Sequence, residues 1–219
     1  MVGAALAAVM AAIPASAHAA PVVSAELARQ SVRYGSVHHL SGTLLDGTTP
    51  LAGQQVVLEG QRYPYEGSYR VIDRTTTDAE GKFEFNPELD RNHRLRVTAP
   101  AQAVTSEVAH AYTVPAFTLS FHAIRPGVVR LYQRYTVPKP VKLSAPTLFY
   151  LGSRKATRAS LRRAGKLSRT SAGHYTSHVT VRLPAGWHGA FRYASCFRAS
   201  PRSGMGDPHQ SCPRLRLEF

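Results

Sequence analysis

Hydrophobic and polar residues alternate with a period of two along most of this chain. In the segment 68–86, for example, Phe83 and Phe85 fall on one side of the pattern, and Lys82 and Glu84 fall on the other. Successive side chains of a β-strand point to opposite faces, so each such segment can bury one face and expose the other, as in antiparallel sheets. No long apolar stripe with the helical period of 3.6 residues appears. The pattern therefore predicts an all-β protein.

The first twenty residues, MVGAALAAVMAAIPASAHAA, have the composition of a signal peptide. They are small and apolar, and they end in alanines spaced as A-x-A, which predicts cleavage after Ala19 or Ala20. The apolar run is shorter than the ~20 residues that a membrane-spanning helix needs. No Lys or Arg precedes the run, and an N-terminal membrane anchor is the alternative interpretation. We therefore expect a signal peptide over 1–20 and a protein that is secreted, extracellular or held at the cell surface.

The remaining length predicts two domains. A single β-sandwich uses about 100 residues, and about 199 residues follow the predicted signal peptide. The charge of the chain changes near Pro115, where a proline also interrupts the strand pattern. The sequence therefore predicts two consecutive antiparallel β-sandwich domains, 21–114 and 115–219.

A set of glycine, apolar and turn residues between 40 and 98 follows a pattern that is found in other proteins. Its members are Gly42, Leu51, Gly53, Val56, Leu58, Thr75, Thr77, Asp78, Gly81, Phe83, Phe85, Leu95 and Val97. On these residues the segment resembles the secreted Ig-like or carboxypeptidase-regulatory-like (transthyretin-type) β-sandwich repeats of actinobacterial exported proteins. The resemblance covers about 60 of the 219 residues. It implies a binding or structural module without catalysis and without a cofactor, and the second half shows no such motif.

The positive charge of the chain belongs to its second half. Residues 115–219 include 18 basic and two acidic residues, whereas 21–114 include 9 basic and 11 acidic residues, for net charges of +16 and −2. Such asymmetry predicts a polyanionic partner for the second half. The candidate polyanion-binding residues are Arg130, Arg134, Arg154, Lys155, Arg158, Arg162, Arg163, Lys166, Arg169, Arg182, Arg192 and Arg198.

Two interpretations of this basic surface stay open. Guanidinium groups bind phosphate and carboxylate with two parallel hydrogen bonds. The expected partners are an anionic cell-wall polymer or membrane headgroups, with no specific nucleic acid and no small-molecule substrate. The alternative is a compositional surface without a specific ligand, on a purely structural, stalk-like extracellular protein.

The segment 153–170 is ambiguous. Its basic residues Arg154, Arg158, Arg162 and Lys166 recur every four residues, as on one face of a helix. Its apolar content is mostly alanine, however, and glycines interrupt it. We favour a basic hairpin or edge connection, with a short helix as the alternative.

The chain has two cysteines, Cys196 and Cys212, with 15 residues between them. An oxidising compartment favours a disulfide between them, which would stabilise the loop by ~3 kcal/mol in the chain-entropy model. Two free thiols are the alternative. The spacing is too wide for a zinc or redox pair.

No catalytic signature is present, since the chain lacks G-x-S-x-G, H-E-x-x-H and a phosphate-binding glycine loop. We expect no catalytic residue, metal or cofactor, and an enzyme with a dispersed site is the less favoured alternative. His174 and His178 would lie ~13 Å apart on a strand, too far to share one ion. His38 and His39 are expected on opposite faces, one exposed and one partly buried. The acidic segment 78–81 is interpreted as a tight turn rather than a calcium site.

Overall fold

The computed structural model describes residues 20–144, 147–153, 161–185, 190–196, 203–206 and 214–218. These residues form seventeen β-strands and one turn of 3₁₀ helix, Pro100–Gln102. The predicted all-β, antiparallel fold is confirmed, with one parallel strand pair. Within the described ranges, no helix has the length and apolar character needed to cross a bilayer. The predicted signal peptide falls on 1–20, of which 1–19 lie outside the described residues.

The strands before Pro115 build two facing sheets. They are β1 Pro21–Leu27, β2 Ser31–Arg33, β3 Leu40–Asp46, β4 Thr49–Pro50, β5 Gln55–Arg62, β6 Arg70–Thr76, β7 Lys82–Phe85, β8 His93–Ala99, β9 Val104–Thr105 and β10 Ala109–Val114. One sheet has the order β1-β3-β4 with β7 also on β3, and the other has the order β2-β10-β8-β5-β6 with β9 on β8. Leu44, Phe83 and Phe85 from the first sheet share one buried cluster with Leu58 and Leu95 from the second. The two sheets therefore enclose a common core, as in a β-sandwich.

The turn after β6 shows what the motif residues of this half do. The Thr77 hydroxyl donates to the Leu51 carbonyl at 2.6 Å and accepts the Gln54 N–H at 3.0 Å. Asp78 Oδ1 accepts the backbone N–H groups of Glu80 at 3.0 Å and Lys82 at 2.8 Å. The Asp78 carboxylate therefore closes a tight turn between β6 and β7, which confirms the predicted turn at 78–81.

The strands after Pro115 form one seven-stranded sheet in the order β11-β12-β15-β14-β13-β16-β17. They are β11 Ala116–Arg125, β12 Val128–Thr136, β13 Thr147–Ser153, β14 Leu161–Ser171, β15 His174–Arg182, β16 Ala190–Cys196 and β17 Arg214–Glu218. Leu131 of β12 and Phe149 of β13 belong to one buried cluster, although two strands separate β12 from β13 in the sheet. The sheet therefore folds over at β14, so that β12 and β13 lie in two layers that pack face to face.

Strand β14 makes this corner by changing its partner. Residues 161–165 pair with β13, and residues 166–171 pair with β15. The change falls at Gly165, where a Cβ atom would clash with the Phe149 ring and lie 2.5 Å from Ser177 Oγ. A glycine is needed here because the two layers leave no room for a side chain at the corner. Strands β13 and β14 pair antiparallel, as the favoured hairpin requires, and the helical alternative is wrong for 161–170. The connection 154–160 lies outside the described residues.

The two halves meet without a linker. Pro115 is buried, β10 ends at Val114, and β11 begins at Ala116. Tyr34 of the first half packs against a buried cluster of the second half that includes Tyr135 and Met205. The division into two domains, 21–114 and 115–219, stays a prediction.

A short segment of the second half, 203–206, is hydrogen-bonded to the first half. The Asn92 backbone N–H donates to the Gly204 carbonyl at 2.8 Å, and Asn92 Nδ2 donates to the Gly206 carbonyl at 2.9 Å. The Gly206 N–H donates to the Thr113 carbonyl at 2.9 Å. This segment lies between Cys196 and Cys212, and no sequence pattern indicated that it contacts the first half. Cys212 lies outside the described residues, so the disulfide stays a prediction.

Candidate anion-binding surface

One outer face of the second half is rich in cations. On β12 the alternate residues Val129, Leu131, Gln133 and Tyr135 are buried, so the residues between them face outward. Strands β11 and β15 pair with β12, and the second part of β14 pairs with β15, so this face extends across four strands. We call it the basic face, and its members are His122, Arg130, Tyr132, Arg134, Lys166, His178 and Arg182.

Register and contacts bring these side chains together. Arg130 is opposite His122 on one side and Thr180 on the other, and its Nε donates to Thr180 Oγ1 at 3.1 Å. His178 is opposite Tyr132 on one side, with ring centroids 5.9 Å apart, and opposite Lys166 on the other. The centre of the face therefore combines an aromatic pair with cations on both sides.

The segment that forms this face contains no acidic residue. The sequence holds no Asp or Glu between Glu107 and Asp207. In the part of the chain that the structure describes, both ion pairs lie in the first half, between Arg62 and Asp90 and between Arg96 and Glu59 at 2.8 Å. The basic face therefore produces a positive potential that its own residues do not neutralise.

The structure divides the candidate residues into groups. Arg130, Arg134, Lys166 and Arg182 lie on the basic face. Arg162 lies on the outer side of the other layer, with its guanidinium carbon 5.8 Å from the Tyr150 ring centroid.

The remaining candidates lie elsewhere on β14 and β16 or outside the described residues. Arg163 is exposed although it is opposite the buried Phe149, and the exposed Arg169 donates from Nε to the Ser171 carbonyl at 3.2 Å. Arg192 lies in β16, opposite Gly152. Four further candidates lie outside the described residues: Arg154, Lys155, Arg158 and Arg198.

A cleft between the halves contains cations that the sequence analysis missed. We call it the junction cleft; it has a volume of about 810 Å³ and is lined by Arg29, Arg33 and His39 of the first half together with Phe117 of the second. The net charge of the first half, −2, concealed these two arginines. Only the folded chain brings both of them to one cleft with Phe117 of the second half.

The histidines divide into buried and exposed groups. His38 is fully buried rather than partly buried, and its neighbour His39 is exposed. Burial lowers the pKa of His38 to about 4, with a smaller contribution from nearby His93. Burial also lowers the pKa of His93, whose Nδ1 is 2.8 Å from the Arg91 carbonyl oxygen. These two histidines are held neutral in the core, so they do not add charge to the surface.

His174 and His178 both lie on β15, as the strand prediction required. Among the described residues, no three His, Cys, Asp or Glu side chains come close enough to hold a metal ion. The basic face presents arginine, lysine and tyrosine donors, which can bind negative charge.

Comparison with known proteins adds little to this description. No protein-family model matches the chain, and no curated protein matches it. A solved structure of a mutant of Salmonella alpha-2-macroglobulin is similar at 15% identity and a TM-score of 0.34, covering 91% of this chain. The chain spans 14% of that protein's length. A similarity this weak carries no argument about fold or function.

Proposed function

We propose that this protein is an exported, non-catalytic, Ig-like module whose basic face docks on an anionic polymer. The observation that carries the proposal is the position of Arg130, Arg134, Lys166 and Arg182 on one face, where none of them forms an ion pair among the described residues. Export is supported by the composition of 1–20, and the transthyretin-type assignment is supported by the residues between 40 and 98.

The shape of the basic face favours a polymer over a small anion. Strand β12 has nine residues and is therefore about 27 Å long at the usual rise per residue. Arg130 and Arg134 are four residues apart along it, which is about 13 Å. A small anion can reach one of these side chains, whereas a linear polymer with repeated phosphates or carboxylates can reach all of them. We infer that an anionic cell-wall polymer, or the headgroups of a membrane surface, is the partner.

A purely structural, stalk-like role is the second candidate. It is favoured by the distribution of the other cations, since Arg162 lies on the other layer and Arg163 and Arg169 are opposite the buried rings of Phe149 and Tyr175 rather than on the basic face. A compositional excess of arginine would distribute cations over all surfaces in this way. The two candidates differ in whether the basic face binds more strongly than other cations of the same half.

Binding to heparin and to purified cell wall over a series of salt concentrations tests the proposal. One variant replaces Arg130, Arg134, Lys166 and Arg182 with Ser, and a control variant replaces four cations away from the face, Lys139, Lys142, Arg162 and Arg163. We expect the first variant to lose most of the affinity. The slope of log K against log salt concentration should fall by about three, because a protein that contacts fewer phosphates releases fewer counterions on binding. The control should retain most of the affinity.

Equal losses in the two variants would show that only net charge matters, and the structural role would then be the one to keep. Absence of binding by the unmodified protein at low salt would overturn the proposal directly. Circular dichroism and thermal unfolding check that both variants are folded, which we expect because all of these side chains are exposed or half-buried.

A further inference from the structure

The junction cleft has a preorganised cation. Arg33 is the last residue of β2, which pairs in parallel with β10 and places Arg33 opposite Val114. Its guanidinium carbon lies 4.6 Å from the centroid of the Phe117 ring. Stacking on an aromatic ring occupies the flat face of a guanidinium and leaves the N–H donors around its edge available. The first half and the second half thus hold this arginine in place together.

The charge of the cleft is not neutralised by the residues that line it. Arg29 and Arg33 are accompanied by His39, and none of the lining residues is acidic. Within the described ranges, no carboxylate is close enough to either arginine to form an ion pair. A concave surface lined by positive charge concentrates anions more strongly than a flat surface does. The cleft therefore favours an oxyanion as its occupant.

The junction cleft and a pocket that contains Arg134 share Phe117 as a lining residue. Phe117 also lines a second pocket, of about 470 Å³, together with Arg134, Thr118, Thr176 and His174. Arg134 is a member of the basic face. Because the two pockets share this residue, they are neighbours, and a linear ligand that follows β12 as far as Arg134 can continue around the end of the sheet into the junction cleft.

We propose that the junction cleft binds phosphate groups, and that a linear phosphate polymer extends from the basic face past Phe117 to Arg29 and Arg33. This inference rests on the proposed function and extends it, because it makes the first half a part of the binding surface. Guanidinium edges match the geometry of a phosphate group. Occupation of both surfaces by one polymer adds avidity, since the second contact is intramolecular once the first has formed.

The test uses the full chain and two forms of inorganic phosphate polymer. Long-chain polyphosphate can span both surfaces, whereas tripolyphosphate is shorter than β12 and cannot. The test variant is Arg29→Ser with Arg33→Ser. The control is Arg70→Ser with Arg74→Ser, which removes the same charge from β6 at the opposite edge of the same sheet.

We expect the test variant to bind long-chain polyphosphate about tenfold more weakly, as loss of avidity predicts, and the control to change by less than about twofold. The preference of the protein for the long polymer over tripolyphosphate should shrink only in the test variant. Arg33→Lys, which keeps the charge and loses the planar fork, should also weaken binding of the long polymer. This third variant distinguishes an effect of the guanidinium group at this site from an effect of net charge. Thermal unfolding checks that each variant is folded.

Each outcome separates the two proposals. Equal affinities of the test and control variants, with binding lost in the basic-face variant, would overturn the cleft and leave the proposed function standing. Absence of polyphosphate binding by the unmodified chain would overturn the cleft, while heparin or cell-wall binding decides the proposed function. Equal sensitivity of polyglutamate binding to the Arg29 and Arg33 changes would overturn the assignment to phosphate.

Discussion

At the scale of single residues, the buried histidine His38 shows how this core treats charge. Its Nε2 is 3.4 Å from the Thr113 hydroxyl, which donates to the Arg91 carbonyl at 2.9 Å. In the described part of the chain its Nδ1 has no hydrogen-bond partner. Protonation would place a charge in this site, so burial lowers the pKa of His38 to about 4.

This lowered pKa predicts a loss of stability in mild acid. The unfolded chain binds a proton at His38 near the ordinary pKa of about 6.5, while the folded chain stays neutral. The free energy of unfolding should therefore be fully retained above pH 6.5 and fall between about pH 6.5 and 4, by up to about 3 kcal/mol from this residue. Urea unfolding at several pH values measures it.

The variant His38→Gln should show a smaller acid loss, because glutamine does not titrate. His93, whose pKa is also lowered, should supply part of the remaining loss. An identical pH profile in the variant would contradict the prediction.

At the scale of elements, β14 determines how the second half folds. Its first part belongs to one layer and its second part to the other, and Gly165 lies where the change occurs. The corner is crowded on both sides, by Phe149 and by Ser177 Oγ at 2.5 Å from where a Cβ would be. A single residue without a side chain therefore permits the two-layer arrangement.

The variant Gly165→Ala should be destabilised by about 1–3 kcal/mol, because the added methyl group overpacks the corner. Chemical unfolding of the purified protein measures the difference. Ser168→Ala, at an exposed position of the same strand, is the control and should change stability by less than about 0.5 kcal/mol. Equal stability of the Gly165 variant and the unmodified protein would show that the corner can relax.

The loop between Cys196 and Cys212 carries the predicted disulfide, and the oxidation state of the two cysteines can be measured. We predict a disulfide between Cys196 and Cys212 in the exported protein, and alkylation without reductant followed by mass measurement should find no labelled thiol. Cys196→Ser should loosen the flanks of the loop more than 203–206, because that segment is hydrogen-bonded to Asn92 and Thr113. Two labelled thiols in the unmodified protein would contradict the pairing.

At the scale of the whole molecule, the two halves differ in charge but share a tight junction. Buried Pro115 is the only residue between β10 and β11, and Asn92 connects the first half to 203–206. Gly204 permits this contact, because its φ is +65° and a Cβ there would lie 2.5 Å from the Tyr63 ring. We therefore expect the halves to unfold together in the intact chain.

The variant Asn92→Ala should weaken this coupling. It removes the Nδ2 hydrogen bond to Gly206 and leaves the buried Thr113 N–H, which Asn92 Oδ1 accepts at 2.9 Å, without its partner. The expected cost is about 3 kcal/mol. Calorimetry should show a broader or divided transition, and trypsin should cut faster after Arg202. Asn86→Ala, at an exposed position, is the control.

Much of the fold could be predicted from the sequence because its signals are local. The alternation around Phe83 and Phe85 repeats within a few residues, and it gave strands that the structure confirms. The turn at Asp78 was recognisable because its hydrogen bonds join residues at most four apart. The location of the positive charge needed only a count along the chain.

Only the tertiary structure decided which cations lie together. Strand pairing placed Lys166 opposite His178 and Arg130 opposite His122, and it placed Arg162 on the other layer. The cleft beside Phe117 joins residues from both halves, and no count within either half could reveal it. These outcomes depend on register and on packing between segments far apart in the chain, which local alternation does not encode.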